Sequence, residues 1–293
     1  MKILLLGLLC CLGSGVWTAE QKPARKKIVL IAGKKSHGPV GNGIHDYGWS
    51  VRLLRIMLEN SNIKEQVAVE VHLDGWPKNP KTLETADTIL IVSDGRDGDR
   101  YEEAPHLASE ERVRFMERQI KRGCGFLTFH FSTFAPEKYA RQMLDWSGGY
   151  FQWETNGKRQ WFSAIQTREA EVKLGSPDHP LSRGLKPFRM REEFYYNLRF
   201  DPKDKALKPI WVVPELAGRE PHGKVVAWAR ERADGGRGFG TSAGHFYDNW
   251  KHEPFRKLIL NALAWTAKIE VPRHGVEARF YTHAQIEAAE KGK

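Results

Sequence analysis

The apolar positions of this chain alternate between short runs and helical stripes. Lys27 to Ala32 is a β-branched run that ends at Gly33, and Trp49 to Asn60 then repeats apolar residues at helical spacing, through Val51, Leu54, Met57 and Leu58. This predicts a strand, a long loop and a helix. Val67 to Leu73 and Thr88 to Val92 predict two more strands, Glu110 to Arg122 a helix stopped at Gly123, and Gly125 to Phe129 a fourth strand. Strands alternating with helices predict a mostly parallel sheet with helices on both faces, a three-layer α/β fold.

From Phe131 to about Gly184 the pattern loosens, giving a helix over Glu137 to Asp145 and then an irregular insertion. Candidate strands resume at Phe194 to Phe200, Leu207 to Val213, Val225 to Arg230 and Gly238 to Ser242. A closing helix over Pro254 to Lys268 sets Phe255, Leu258, Ile259, Ala262 and Trp265 on one face. No repeat and no long linker interrupts this order, so residues 27–272 read as one domain. In the tail, 273–293, Ala284 to Lys293 reads as a short polar helix or a frayed end.

The N-terminus adds a compartment. Lys2, the apolar run Ile3 to Leu12 and the small residues Gly13, Ser14, Gly15 and Ala19 read as an export signal over 1–19, followed by a polar lead-in over 20–26. About ten apolar residues are half of what a bilayer-crossing helix needs, so the expectation is a periplasmic or secreted protein with no membrane insertion after signal removal. Cys10 and Cys11 leave with the signal. Only Cys124 remains, among apolar neighbours, which predicts a buried thiol and no intramolecular disulfide.

The formal net charge is +10, but the Lys and Arg are scattered among 36 acids, and no nucleic-acid module accompanies them. Nucleic acid is therefore not an expected partner. The Trp and Arg content permits a homo-dimer without arguing for one.

In open parallel sheets ligands bind outside the carboxyl ends of the strands. The residues this selects are Ser36, His37, His45 and Asp46 after the first strand, Asp94, Arg96 and Asp97 after the third, His130 and Ser132 after the fourth, Glu192 and Glu193 near a later strand, and His245 after Gly238 to Ser242. Histidines and carboxylates on one rim suit both a transition metal and acid–base catalysis, although no spacing here matches a known zinc signature. The run Asp94 to Asp99 has the wrong acid spacing for a calcium loop and reads as a turn-rich loop in which Asp94 and Arg96 could bind a polar ligand or each other. Trp146, Tyr150, Phe151, Trp153 and Trp161 crowd the insertion. They read first as a satellite core, with one or two left to offer a flat face to a sugar ring.

The chain resembles the trehalose-utilization, or ThuA-like, family, whose fold is similar to the class I glutamine amidotransferases and to flavodoxin. The resemblance rests on IVLIAGKKSHG and the later His45, GCGFLTFH, SPDHPLSRGLKPF followed by REEFYY, GRGFGTSAGH, and FRKLILNALAWTA. At the turn where the amidotransferase nucleophile sits, this sequence has His130, so glutamine hydrolysis by a cysteine is not implied. His245 falls near the place of the amidotransferase histidine, Glu193 matches the acid of an E-E-x-Y segment, and His37 follows the first strand. The resemblance implies sugar metabolism through keto sugars.

On this reading His37, His130 and His245 are metal ligands, with zinc the first choice among divalent ions and no nucleotide cofactor. His45, Asp46 and Glu193 are catalytic, and Asp94, Arg96, Trp153 and Tyr247 bind substrate. The expected activity is isomerisation, elimination or hydrolysis of a keto sugar or glycoside. A non-catalytic carbohydrate-binding module is the rival. A hydrolase using Ser132 or Ser36 lacks a G-x-S-x-G elbow and ranks last.

Overall fold

The computed structural model describes residues 24–219 and 221–292; the expected export signal over 1–19 lies outside them. Nine strands form one sheet: β1 (Lys26–Ala32), β2 (Val67–His72), β3 (Thr88–Val92), β4 (Gly125–Phe129), β5 (Ala164–Leu174), β6 (Phe188–Tyr196), β7 (Leu207–Val212), β8 (Val225–Glu231) and β9 (Arg237–Thr241). Their order is β6-β5-β7-β8-β9-β4-β3-β1-β2. The run β2-β1-β3-β4-β9 is parallel throughout, which is the flavodoxin-like order. The other four strands continue it antiparallel.

Alternation along β1 shows why there are three layers. Ile28, Leu30 and Ala32 pack with α1 (Tyr47–Glu59) and with the later helix Glu253–Thr266, whereas Val29 and Ile31 join the core beneath α2 (Glu110–Lys121) and α3 (Ala140–Trp146). Both faces are covered, so the strands read as continuous apolar runs. Helix α2 is bounded by local chemistry: the Ser109 side chain accepts from the Arg112 N–H, Glu110 and Glu111 occupy the first turn, and Gly123 follows its end at φ +89°. The closing helix, α4 (Glu253–Thr266), carries a proline in its first turn.

The first four strands and the last three stand where the hydrophobic pattern put them. The irregular insertion does not: it contains β5, which has eleven residues, and β6 begins at Phe188 rather than Phe194. These two strands form a ribbon that joins β7 at Lys173 and Leu174. Charged residues such as Arg168, Glu169, Glu171 and Lys173 hide its alternation. Phe134–Ala135, Gly149–Gln152 and Arg199–Phe200 form a second, three-stranded sheet over a satellite core of Phe131, Phe134, Phe151, Trp153, Tyr195 and Trp228.

The C-terminal stretch resolves as a helix, α5 (His283–Lys291), started by a reciprocal cap between Thr282 and Gln285. It packs on α1: Ile286 is buried, the His283 ring stacks on Trp49 at 3.9 Å, and Arg52 pairs with Glu290. Cys124 is buried and free, and burial pushes its thiol up to about 12. Among the described residues no helix is long and apolar enough to cross a membrane.

Candidate metal centre at the strand ends

Four loops and the ribbon converge on one place. His37 and His45 follow β1, Asp94 follows β3, His130 follows β4, and His245 follows β9, while Glu193 arrives on β6. His130 sits on the sharp turn out of β4 at φ +51°, and His45 is at φ +48°, both in the left-handed region that side chains avoid. The strain at His45 is held by its own backbone, whose N–H donates to the His245 carbonyl at 3.1 Å, beside a bridge between Ile44 and Phe246. Gly244, at φ +140°, lies so close to the Phe129 ring that a Cβ would stand 2.2 Å from it. Only glycine lets the loop bring His245 inward.

One ligand atom from each of His45, His130, His245 and Glu193 lies within 4.8 Å of the others. The hydrogen bonds constrain which nitrogens carry protons. His130 Nδ1 stands 2.6 Å from the Ser242 carbonyl, which can only accept, so the proton is on Nδ1 and Nε2 offers a lone pair. Tyr47 donates its hydroxyl to Asp94 at 2.6 Å, which leaves the same oxygen to accept from His45 Nδ1 at 2.9 Å. The tautomer that donates from Nδ1 to Tyr47 leaves His45 Nε2 as a lone pair. Burial drives the His45 imidazolium well below the usual histidine range and His130 down to about 3, so both rings are neutral.

His45 Nε2 and His130 Nε2 face one another at 3.0 Å, and His45 Nε2 meets His245 Nδ1 at 2.9 Å. The Glu193 carboxylate stands 3.2 Å from His245 Nδ1 and 3.6 Å from His130 Nε2. Donors held at about 2.0–2.2 Å from one tetrahedral ion lie about 3.3 Å apart, so three imidazoles and a carboxylate at these spacings fit a zinc-like ion.

The surrounding residues fix this set. Glu192, fully buried, accepts from the backbone N–H groups of Glu193, Gly244 and His245 and from the Asn249 amide. Burial raises its carboxyl to about 7. The Tyr195 hydroxyl stands 2.8 Å from His130 Nε2, hydrogen-bonds Glu193, and its ring stacks on that of His130. A second group, His37, His45 and Asp94, adjoins the first: Ser36 bonds both His37 Nδ1 and Asp94 at 2.6 Å, and His37 Nδ1 lies 2.9 Å from His45 Nδ1. Burial lifts Asp94 to about 6 and lowers His37.

The structure sorts the remaining candidates. Asp46 accepts from the Gly41 and Gly43 N–H groups and pairs with Lys35 at 3.1 Å, which occupies its carboxylate in shaping the loop. Arg96 bonds Glu102 and the Leu107 carbonyl, and Asp97 accepts three N–H groups of its own turn, from Asp99, Arg100 and Tyr101. Trp153 is buried over Gly98 with its indole N–H on the Arg96 carbonyl, and the buried Tyr247 ring meets His283. Neither reaches the cluster through any described contact. Ser132 Oγ is taken by the Phe129 N–H and the Ile91 carbonyl. Tyr47 and Tyr195 escaped the sequence reading, yet each stands two residues beyond a site residue, and Tyr195 shares a strand face with Glu193.

Fold and site define a class: a flavodoxin-like α/β protein with a histidine and carboxylate centre at its strand ends. The ThuA family, described as trehalose utilisation, matches residues 29–266, and the chain belongs to it. Its structure is similar to ThuA-like proteins from Parabacteroides merdae (14% identity, TM-score 0.59, covering 87% of this chain and 98% of that one) and Bacteroides uniformis (12%, 0.59, 85% and 95%). It is also similar to a cytoplasmic protein from Salmonella typhimurium (12%, 0.53, 82% and 99%). No curated protein matches the sequence.

Proposed function

We propose that this chain is a metal-assisted enzyme of carbohydrate breakdown, acting on a keto sugar or its glycoside. The observation that carries the reading is the approach of His45 Nε2 and His130 Nε2 to 3.0 Å of one another beside a carboxylate. Nitrogens so placed are satisfied by a cation between them or by a shared proton. His45, His130, His245 and Glu193 would hold a divalent ion, zinc before others. When bound, the ion supplies Lewis acidity toward a carbonyl or hydroxyl oxygen.

On this reading two roles expected from the sequence are exchanged. His45 belongs with the ligands, and His37 is the group left free to move a proton, partly open to solvent and backed by Ser36 and Asp94. Tyr195 orients His130 and holds a hydroxyl beside the reacting oxygen. Sugar as the substrate is supported by the family description, and export by the pattern of Lys2 and Ile3 to Leu12; a secreted product beginning after residue 19 would be seen by mass spectrometry.

The test is elemental analysis of the purified protein and of His130→Ala and His245→Ala, followed by turnover of keto sugars. Near-stoichiometric metal that disappears in both variants, together with turnover lost in both, is the expected result. Full metal in both variants would overturn the centre. Metal with sugar binding but no turnover by the wild type would favour the binding-module reading.

A further inference from the structure

Four of the five aromatics that crowd the insertion are spoken for. Trp146 and Tyr150 lie in the core beneath α2 and α3, and Phe151 and Trp153 lie in the satellite core. Trp161 differs, at 42% exposed, and Ile165, four residues on, is 36% exposed. Among the described residues the only other exposed large apolar side chains are Val40 and Leu73, in the loops after β1 and β2.

The position of this pair is set by register. Ile165 lies opposite Tyr195 and Thr167 opposite Glu193 in the antiparallel ribbon, and directly paired residues share a face. The face that presents Glu193 and Tyr195 to the metal centre therefore continues outward into Ile165. Trp161 meets Phe134 edge-on at 6.1 Å and Phe151 at 5.1 Å. Both of those rings also meet Tyr195, at 5.2 and 5.3 Å, and Tyr195 bonds His130. The indole is thus braced by packed rings while much of the residue stays exposed. The Arg159 guanidinium lies over the ring, 5.5 Å from its centre, and adds donors beside it.

We propose that Trp161 and Ile165 form an outer subsite that receives the sugar ring of a disaccharide or glycoside remote from the metal centre. This rests on the reading of the centre as a sugar-processing site. An isolated, braced indole with polar residues beside it matches a pyranose, whose C–H face is apolar and whose rim is hydroxyls. Two side chains are too little apolar surface for a protein partner.

The experiment titrates trehalose and, separately, glucose into the zinc-loaded full chain by calorimetry, for wild type, Trp161→Ala and Trp161→Phe, with zinc content measured in each. Trp161→Ala is expected to keep its zinc, to lose tenfold or more in affinity for trehalose, and to change little toward glucose, with Trp161→Phe recovering much of the loss. Unchanged trehalose affinity in a zinc-replete Trp161→Ala overturns the subsite and leaves the metal centre standing. Failure of the zinc-replete wild type to bind trehalose also overturns it. Failure of the wild type to hold zinc sinks the centre itself, and the subsite with it.

Discussion

A histidine becomes a ligand or a base according to what its far nitrogen touches. His45 shows this most directly, because the tautomer that donates from Nδ1 to Tyr47, itself bonded to Asp94, is the one that frees Nε2. Partners of this kind cost about 10- to 100-fold in metal affinity when removed. Tyr47→Phe should therefore weaken zinc binding by about that factor in a chelator competition, while circular dichroism stays native. Equal affinities would mean that His45 is not a ligand.

A second residue-scale case lies away from the site. His106 is fully buried with neither ring nitrogen bonded, and burial alone lowers it to about 3. The unfolded chain takes up this proton near its ordinary pKa of about 6.5, whereas the folded chain refuses it down to about 3. The unfolded state thus binds more protons in that window, and stability falls as pH drops through it. His106→Leu should remove this loss, gaining about 2 kcal/mol in urea unfolding at pH 5 relative to pH 8. A wild-type and variant difference that is the same at both pH values would refute the assignment.

At the scale of elements, the ribbon of β5 and β6 is what the sequence concealed. The buried parallel strands were legible because both faces are apolar, so Thr88–Val92 and Gly125–Phe129 read off as runs. The ribbon has one packed face, and its charges, Glu192 among them, read as loop. Yet Glu192 is the post on which the His245 loop hangs. Glu192→Ala would leave the Gly244 and His245 N–H groups buried without acceptors, and should cost about 3 kcal/mol in denaturant unfolding along with most of the bound metal. A loss under about 0.5 kcal/mol would show that water replaces the carboxylate easily. The candidate histidines and Asp94 were legible from their place after the parallel strands, whereas Glu193 lies within β6. Their roles were not, since protonation and facing depend on Ser242, Tyr47 and Tyr195, which only the fold brings near.

At the scale of the molecule, a ligand that binds only the folded chain stabilises it by mass action, by about 2.7 kcal/mol at a hundredfold excess over Kd. Chelator should therefore lower the melting temperature of the wild type and leave that of His130→Ala unchanged. An identical drop in both would place the metal elsewhere.

The ribbon also joins the rest of the sheet at only one end, through Lys173 and Leu174, while its Glu193 meets histidines carried by the parallel strands. The site is thus shared between two parts of the fold whose relative position the backbone ladder alone does not fully fix. Occupying the centre ties one part to the other, much as a clasp closes a hinged cover. Amide hydrogen exchange should register this as slower exchange along Phe188–Tyr196 when metal is added, with Val67–His72 at the opposite edge unaffected.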